Sequence, residues 1–354
     1  MSQTSATDSP GMTEALHRLA EGGSLSAAQT AAAFGVVMRG EATPGQIAAL
    51  LMGLRARGES ADEIAGAAAA LRAAMVPVAT PDADRLVDTC GTGGGVVPTL
   101  NISTAAAFIV AGAGVPVAKH GNRSYTTRSG SAEVLEALGV EIGVAPDHAA
   151  RILREAGLVF LFAPRYHPAM RHVAPTRKEL GVTTIMNLLG PLANPAGVRR
   201  QVVGVADPAR APRVADALRQ LGALHALVVH GVIGMDEISP VGATAVWEIR
   251  EGRVSEWALD PASVGLDAEG LEGLEAGEPA ENAARIEALL RTGKGGAART
   301  AVLLNAAAAL YVSGGGGSFA DAVRRATAAL DSGAGGAALD RLRAAAPGGV
   351  SISG

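Results

Sequence analysis

Residues Asp88 to Gly139 read DTCGTGGGVVPTLNISTAAAFIVAGAGVPVAKHGNRSYTTRSGSAEVLEALG, and the alternation inside this stretch decides the fold. An apolar run from Arg85 to Cys90 ends in glycines, an alanine-rich helical pattern begins at Ile102, and a second apolar run from Val115 to Ala118 ends in KHGNRS. Short apolar runs separated by helix-length segments imply parallel βαβ units. The same rhythm continues through Leu158 to Phe162, Gln201 to Ala206 and Ala226 to Val229. The expected fold is therefore α/β, with a mostly parallel central sheet.

Upstream the pattern is different. From Met12 to about Val76 it is helical throughout, and three capping boxes mark the starts: Ser26 with Gln29, Thr43 with Gln46, and Ser60 with Glu63. Pro44 stands where a first helical residue belongs, while Gly40 and Gly58 fall where helix ends need positive φ. A small antiparallel helical domain over residues 1–80 is expected, followed by an α/β domain over 81–354. The helical stretch TRKELGVTTIMNLLGPLANP, residues 176–195, interrupts the βαβ alternation and is expected to return to the first domain. The connections 78–83 and 164–175 would then act as hinges around a cleft. Beyond Ser313 a GGGG run, an amphipathic segment from Phe319 to Leu330 and a last helix near Ala338 to Ala345 carry no visible chemistry.

Bulk properties limit the function. A chain of 354 residues exceeds the size at which single cores stop growing, so two units are the default. A formal charge of −4 argues against nucleic acid or an anionic membrane as the main partner, leaving room for a local basic pocket. The single cysteine, Cys90, makes no internal disulfide and no cysteine metal site, which fits a reducing cytoplasm. The first residues, MSQTSATDSPG, lack the basic and apolar regions of a secretory signal, and no apolar run reaches the length of a membrane span.

The chemistry gathers at the expected strand ends. Gly91, Gly93, Gly94 and Gly95 leave backbone N–H groups bare at a helix N-terminus, which suits a phosphate. By themselves four glycines are an ordinary strand-to-helix turn, and they match neither GxGxxG nor GxxxxGK[ST]. Thr99, Asn101, Ser103 and Thr104 add side-chain donors directly behind them, and Lys119, Arg123 and Arg128 add positive charge from the next strand end. After the strand LHALVVH, Asp236 and Glu237 are adjacent acids in a loop at the same sheet edge. Such pairs are usually just solvated, but beside a phosphate cradle they suit Mg²⁺, which binds through one or two carboxylates plus substrate phosphates. Ser103 is a weaker candidate oxygen ligand, its ordinary role being a helix cap.

Arg177 and Lys178 fall at the start of the interrupting helical stretch, where a cation is misplaced against the helix dipole. Solvation is the plain explanation, and a bidentate carboxylate clamp from Arg177 into the cleft is the functional one. His120 and His167 are ambiguous, and no Ser/His/Asp, Cys/His or HExxH arrangement supports hydrolysis.

Across nearly the whole chain these residues resemble the anthranilate phosphoribosyltransferase family. The resemblance is carried by GTGG, NIST, KHGNRS, SGSAEVLEALG, TRKELGVTTIMNLLGPLANP, HGVIGMDEIS and the early EATPGQIAALLMGLRARGES. It implies a homodimer, each chain with a small helical domain and a large α/β domain of the nucleoside phosphorylase and phosphoribosyltransferase type. The implied reaction moves phosphoribose from phosphoribosyl pyrophosphate to the amine of anthranilate, an early step of tryptophan synthesis. The implied phosphoribosyl pyrophosphate contacts are Gly91, Gly94, Gly95, Thr99, Asn101, Ile102, Ser103, Thr104, Lys119, His120, Gly121, Asn122, Arg123, Ser124, Tyr125, Thr126, Thr127 and Ser131. The implied Mg²⁺ ligands are Ser103, Asp236 and Glu237, and the implied anthranilate contacts are Gly91, Asn122 and Arg177. Gly95 stands where the family commonly has aspartate, Tyr125 where a smaller residue is usual, Thr183 for a frequent arginine and Met186 for a frequent phenylalanine. The rival readings are a nucleoside phosphorylase of related architecture, disfavoured by Arg177 and the acid pair, and a non-catalytic nucleic-acid-binding relative, disfavoured by the acidic balance.

Overall fold

The computed structural model describes residues 10–80, 82–124, 129–266 and 270–348. Four helices come first: α1 (Pro10–Ala20), α2 (Ala27–Met38), α3 (Pro44–Arg57) and α4 (Ala61–Ala73). All three capping boxes form, the Ser26, Thr43 and Ser60 side chains accepting from the backbone N–H three residues on while Gln29, Gln46 and Glu63 reach back. Each box satisfies two otherwise orphaned donors, which is why these helices start where they do. Gly40 at φ 73° and Gly58 at φ 86° turn the chain between helices.

Seven strands follow: β1 (Val87–Gly91), β2 (Val117–Gly121), β3 (Leu158–Phe162), β4 (Arg200–Gly204), β5 (His225–Gly231), β6 (Thr244–Arg250) and β7 (Arg253–Leu259). They form one sheet in the order β3-β2-β1-β4-β5-β6-β7. β1 to β5 run parallel, and β6 and β7 add an antiparallel hairpin at the edge. The hairpin turns on Glu251 at φ 52° and Gly252 at φ 73°, two consecutive left-handed residues of the kind a two-residue turn requires. The five parallel strands agree with the sequence reading, and the hairpin is an addition to it.

Strand residues alternate between two cores. Val202, Leu227 and Val229 point to the side covered by α5 (Ile102–Gly112) and the helices Gly296–Val312, Phe319–Asp331 and Ala334–Ala345. Val203, Ala226 and Val228 point to the other side, where the helix Ala211–Gln220 joins its apolar face to that of α2, α3 and α4. The period of two makes the sheet a shared wall between the cores. The segment 174–192 forms helices Ala174–Leu180 and Met186–Leu192, and Met186, Leu188, Leu189 and Leu192 enter the core that holds α1 to α4. Arg72 Nε of α4 donates to the Leu192 carbonyl at 2.6 Å, and Val78 N to the Pro195 carbonyl at 2.9 Å.

The chain winds from β1 outward through β2 and β3, then returns to β4 and winds the other way through β5. This reversal leaves a crevice beyond the carboxyl ends of β1 and β4, where open α/β sheets bind ligands.

Candidate active site

Glycines shape the crevice by letting loops touch. At Gly204, the end of β4, an added Cβ would lie 1.7 Å from the Asp236 carbonyl oxygen, so the loop after β5 crosses directly over that backbone. At Gly95 it would lie 2.6 Å from Asp236 Oδ1, and Val96 N donates to the Gly234 carbonyl at 3.0 Å. A side chain at 95 would therefore press on the Asp236 carboxylate and crowd the backbone of the loop that carries it. Gly93 and Gly94 have φ of 69° and 85°, the left-handed region glycine enters without strain.

A cleft of about 840 Å³ runs across this edge. One wall is made of Gly91 to Gly95, Thr99 to Thr104, Lys119 to Ser124, Ser129 to Ser131, Asp236 and Glu237. Gly91, Gly94, Gly95, Thr99, Asn101, Ile102, Ser103, Thr104, Lys119, His120, Gly121, Asn122, Arg123, Ser124 and Ser131 thus share one surface, as do the two acids. Tyr125, Thr126, Thr127 and Arg128 lie outside the described residues.

Several of these residues are already engaged. Lys119 is buried in the middle of β2, its Nζ donating to the Thr89 carbonyl at 2.6 Å and to Ser103 Oγ at 3.2 Å. Burial pushes its pKa down and the Asp88 carboxylate opposes the shift. Ser103 is therefore a partner of Lys119 rather than a helix cap; Asn101 holds the cap position of α5 and instead donates Nδ2 to the Ser129 carbonyl at 3.2 Å. Arg123 makes a bidentate pair with Glu136 at 2.8 and 2.7 Å and lies over the Phe162 ring, so its charge is shared before any ligand arrives. Thr104 Oγ1 is buried with no partner among the described residues.

The other wall is built from Ala163, Pro164, His167, Met170, Arg177, Met186 and Leu188. Arg177 faces the cleft, but the sequence argument about its helix fails. The helix begins at Ala174 with proline in its first turn, so Arg177 and Lys178 occupy its last turn, where a cation suits the dipole. His120 and His167 meet between the walls with ring centroids 5.0 Å apart. His120 Nδ1 lies 3.0 Å from the Gly190 carbonyl, so Nδ1 carries the proton and Nε2 keeps a bare lone pair. Burial holds both imidazoles neutral, pushing His120 down to about 3 and His167 to about 4. His230, the remaining histidine near the loop, is spent on the Val205 carbonyl at 2.9 Å.

The donor set suits a hard divalent cation. Asp236 and Glu237 are half-buried side chains enclosed by protein on most sides; desolvation raises both pKa values, and with repulsion from Asp236 it lifts Glu237 to about 8. Glu237 Oε1 accepts from Ser103 N at 3.2 Å. Two crowded carboxylates and a hydroxyl are oxygen ligands of the type Mg²⁺ takes, and a cation would relieve the repulsion between them. Among the described residues no group of three or more His, Cys, Asp or Glu is placed to hold a metal ion.

Sequence reasoning missed Arg210 and Asp207, which also line the cleft. Arg210 Nη2 reaches both carboxylate oxygens of buried Glu59, at 2.9 and 3.0 Å, tying the loop between α3 and α4 to the segment after β4. The partners are 151 positions apart, and no local pattern announces such a pair.

Residues 13–75 match the helical bundle domain of a glycosyl transferase family and residues 83–336 its a/b domain. A helical bundle and a mostly parallel sheet, with a polar cleft between two walls, define a transferase of that class. Within it, the anthranilate phosphoribosyltransferase of Azorhizobium caulinodans is 50% identical over 327 residues, 92% of this chain and 94% of the relative. The crystal structure of the same enzyme from Thermus thermophilus aligns with a TM-score of 0.88 at 42% identity, covering 94% of this chain and 98% of that one. The Saccharomyces cerevisiae enzyme, solved in complex with PRPP and Mg, aligns at 0.86 with 27% identity, covering 96% and 98%. The chain belongs to the anthranilate phosphoribosyltransferase family.

Proposed function

We infer that the family's reaction is this chain's own: it transfers the phosphoribosyl group from phosphoribosyl pyrophosphate to the amine of anthranilate, giving N-(5-phosphoribosyl)anthranilate and pyrophosphate. The observation that carries this reading is the pairing of walls in one cleft, hydroxyls, bare glycine backbone and Lys119 with two acids on one side, an apolar surface with Arg177 on the other.

The residues divide the work accordingly. The amides from Gly91 to Gly95, the groups from Thr99 to Thr104, and Lys119 to Thr127 with Ser131 hold the phosphoribosyl pyrophosphate, and Lys119 faces the charge that grows on the leaving pyrophosphate. Ser103, Asp236 and Glu237 hold Mg²⁺, which when bound neutralises charge on that leaving group. Arg177 clamps the anthranilate carboxylate, with Gly91 and Asn122 beside the ring, and Met170, Met186 and Leu188 exclude water from it. The amine nitrogen then forms its bond to the anomeric carbon as the carbon–oxygen bond to pyrophosphate breaks, and the ammonium proton leaves. An aromatic amine is neutral at pH 7, so positioning does most of the work and no covalent nucleophile is needed. His120 Nε2 and the ring of His167, without hydrogen-bond partners among the described residues, are acceptors in the cleft for that proton.

The same reading includes a homodimer, a cytoplasmic location, and a division into residues 1–80 and 81–354 with 176–195 returning to the first. The test is a fluorescence assay of anthranilate consumption by purified protein with phosphoribosyl pyrophosphate over a Mg²⁺ series. Metal-dependent consumption is expected. No consumption at any Mg²⁺ concentration, in folded protein, would overturn the reading.

A further inference from the structure

The parallel ladders on either side of β1 differ. β1 pairs with β4 over five residues, Val87 to Gly91 against Arg200 to Gly204, and β2 pairs with β3 over five. Between β1 and β2 the register holds at Val87 and Val117 alone. Beyond that point the main-chain ladder is not continued, and side chains supply the bonds between the strands. Asp88 Oδ1 accepts from the backbone N–H of His120 at 3.2 Å, in place of a main-chain carbonyl. Lys119 Nζ reaches back to the Thr89 carbonyl at 2.6 Å.

A third segment closes the bridge. Asn194 Nδ2 donates to Asp88 Oδ2 at 2.8 Å and to the Ala118 carbonyl at 2.8 Å, while Asn194 Oδ1 accepts from Ala196 N at 2.9 Å. From the same segment, the Gly190 carbonyl accepts from His120 Nδ1. The bonds form a closed circuit: Asp88 to the His120 backbone, the His120 ring to Gly190, the chain from Gly190 to Asn194, and Asn194 back to Asp88. Asp88 and Asn194 are both buried, and neither lines the cleft.

We propose that Asp88 and Asn194 are positioning residues for the transfer reaction, acting through His120 and Lys119: their circuit ties β1, β2 and the 190–194 segment together and sets the His120 ring and the Lys119 ammonium toward the reacting atoms. Neither has a local alternative. Asparagine at 88 would turn a donor toward the donor of Asn194, and alanine at 194 would leave Asp88 Oδ2 and the Ala118 carbonyl unpaired in a buried site. Misplacing reacting groups by a fraction of an ångström acts on the transition state more than on substrate binding. The proposal rests on the reaction proposed above.

The test combines kinetics with ¹⁵N-histidine NMR on the full chain, the His120 signals being assigned from a His120→Gln spectrum. In the wild type His120 is expected as the Nδ1–H tautomer. In Asp88→Asn and in Asn194→Ala, kcat is expected to fall by about 10- to 100-fold while each KM changes by less than about threefold, with a mixed His120 tautomer. The double variant is expected to be no more than about twofold worse than the worse single one, because the two residues act as a unit. A kcat within about twofold of wild type in either folded variant, or losses that multiply, would overturn the proposal. So would an Nε2–H tautomer in the wild type, a result that needs no variant to fold. A wild-type protein without transferase activity would sink the proposed function, while the NMR would still judge the circuit.

Discussion

The wall that carries Asp236 and Glu237 and the wall that carries His167 and Arg177 store opposite electrostatic penalties. On the first, two carboxylates are crowded and partly desolvated, so protonation is favoured and Glu237 rises to about 8. Between the walls and on the second, two imidazoles are desolvated, so protonation is opposed and His120 and His167 fall to about 3 and 4. On the proposed reading one side suits cations and the other a neutral aromatic amine. The cleft therefore separates two chemistries that would interfere in a shared pocket.

Acid should separate the walls most strongly. The folded pKa of each histidine lies below the unfolded value near 6.5, so the unfolded chain binds protons first as pH falls. Their contribution is present above about pH 6.5 and is lost as pH drops toward 4, by several kcal/mol in sum. Glu237 acts in the other direction, since its raised pKa makes folding easier as pH falls through 8. Comparing the urea midpoint at pH 7 and pH 5 for wild type and His167→Gln isolates the imidazole. The variant should lose less stability between those pH values; equal losses would show that burial does not hold His167 neutral.

The next largest effect tests whether the walls serve different substrates. Lys119→Met removes the buried ammonium from the phosphate side and is expected to lower kcat/KM for phosphoribosyl pyrophosphate by about 10²- to 10³-fold. The KM for anthranilate should move far less. Initial-rate kinetics with both substrates varied decides it, and an anthranilate KM that rises as much as the phosphoribosyl pyrophosphate KM would merge the walls into one site.

The walls also differ in legibility. The phosphate side comes from loops that follow β1, β2 and β5 directly, so its glycines, hydroxyls and acids can be read in place from GTGG, NIST, KHGNRS and MDE. The helical lobe is readable for the same reason, because a capping box joins residues only three positions apart. Asp88 carries a weaker signal, a charged residue in an apolar strand that asks for a partner. That partner, Asn194, lies 106 positions away, beyond the reach of any local pattern. Arg177 belongs to the cleft as the sequence implies but to the other end of its helix, because Pro175 marks a start two residues before Arg177 and the apparent helical stretch begins at Thr176. The β6–β7 hairpin has a local signal, Glu251-Gly252 between two alternating runs, which the βαβ pattern overshadows.

Arg177→Ala sharpens the comparison from the acceptor side. Losing one charge-assisted pair costs about 1.5–3 kcal/mol, so the anthranilate KM should rise by about 10- to 100-fold with the phosphoribosyl pyrophosphate KM little changed. Steady-state fluorescence kinetics reads both constants. An unchanged anthranilate KM would remove the clamp and leave the acceptor wall as an apolar surface only.

The smallest effect asks whether stability and chemistry can be separated at all. Ser60 caps α4 by accepting from Glu63 N at 3.2 Å, and Glu63 returns the bond to Ser60 N at 2.7 Å. Ser60→Ala deletes half of that box and should cost about 1 kcal/mol in urea unfolding. Yet Glu59, the preceding residue, is the buried partner of Arg210 on the rim of the cleft. If the α4 cap only stabilises, kcat and both KM values stay at wild type. If kcat falls with the cap, the start of α4 holds Glu59 against Arg210, and the helical lobe contributes to the cleft through that ion pair.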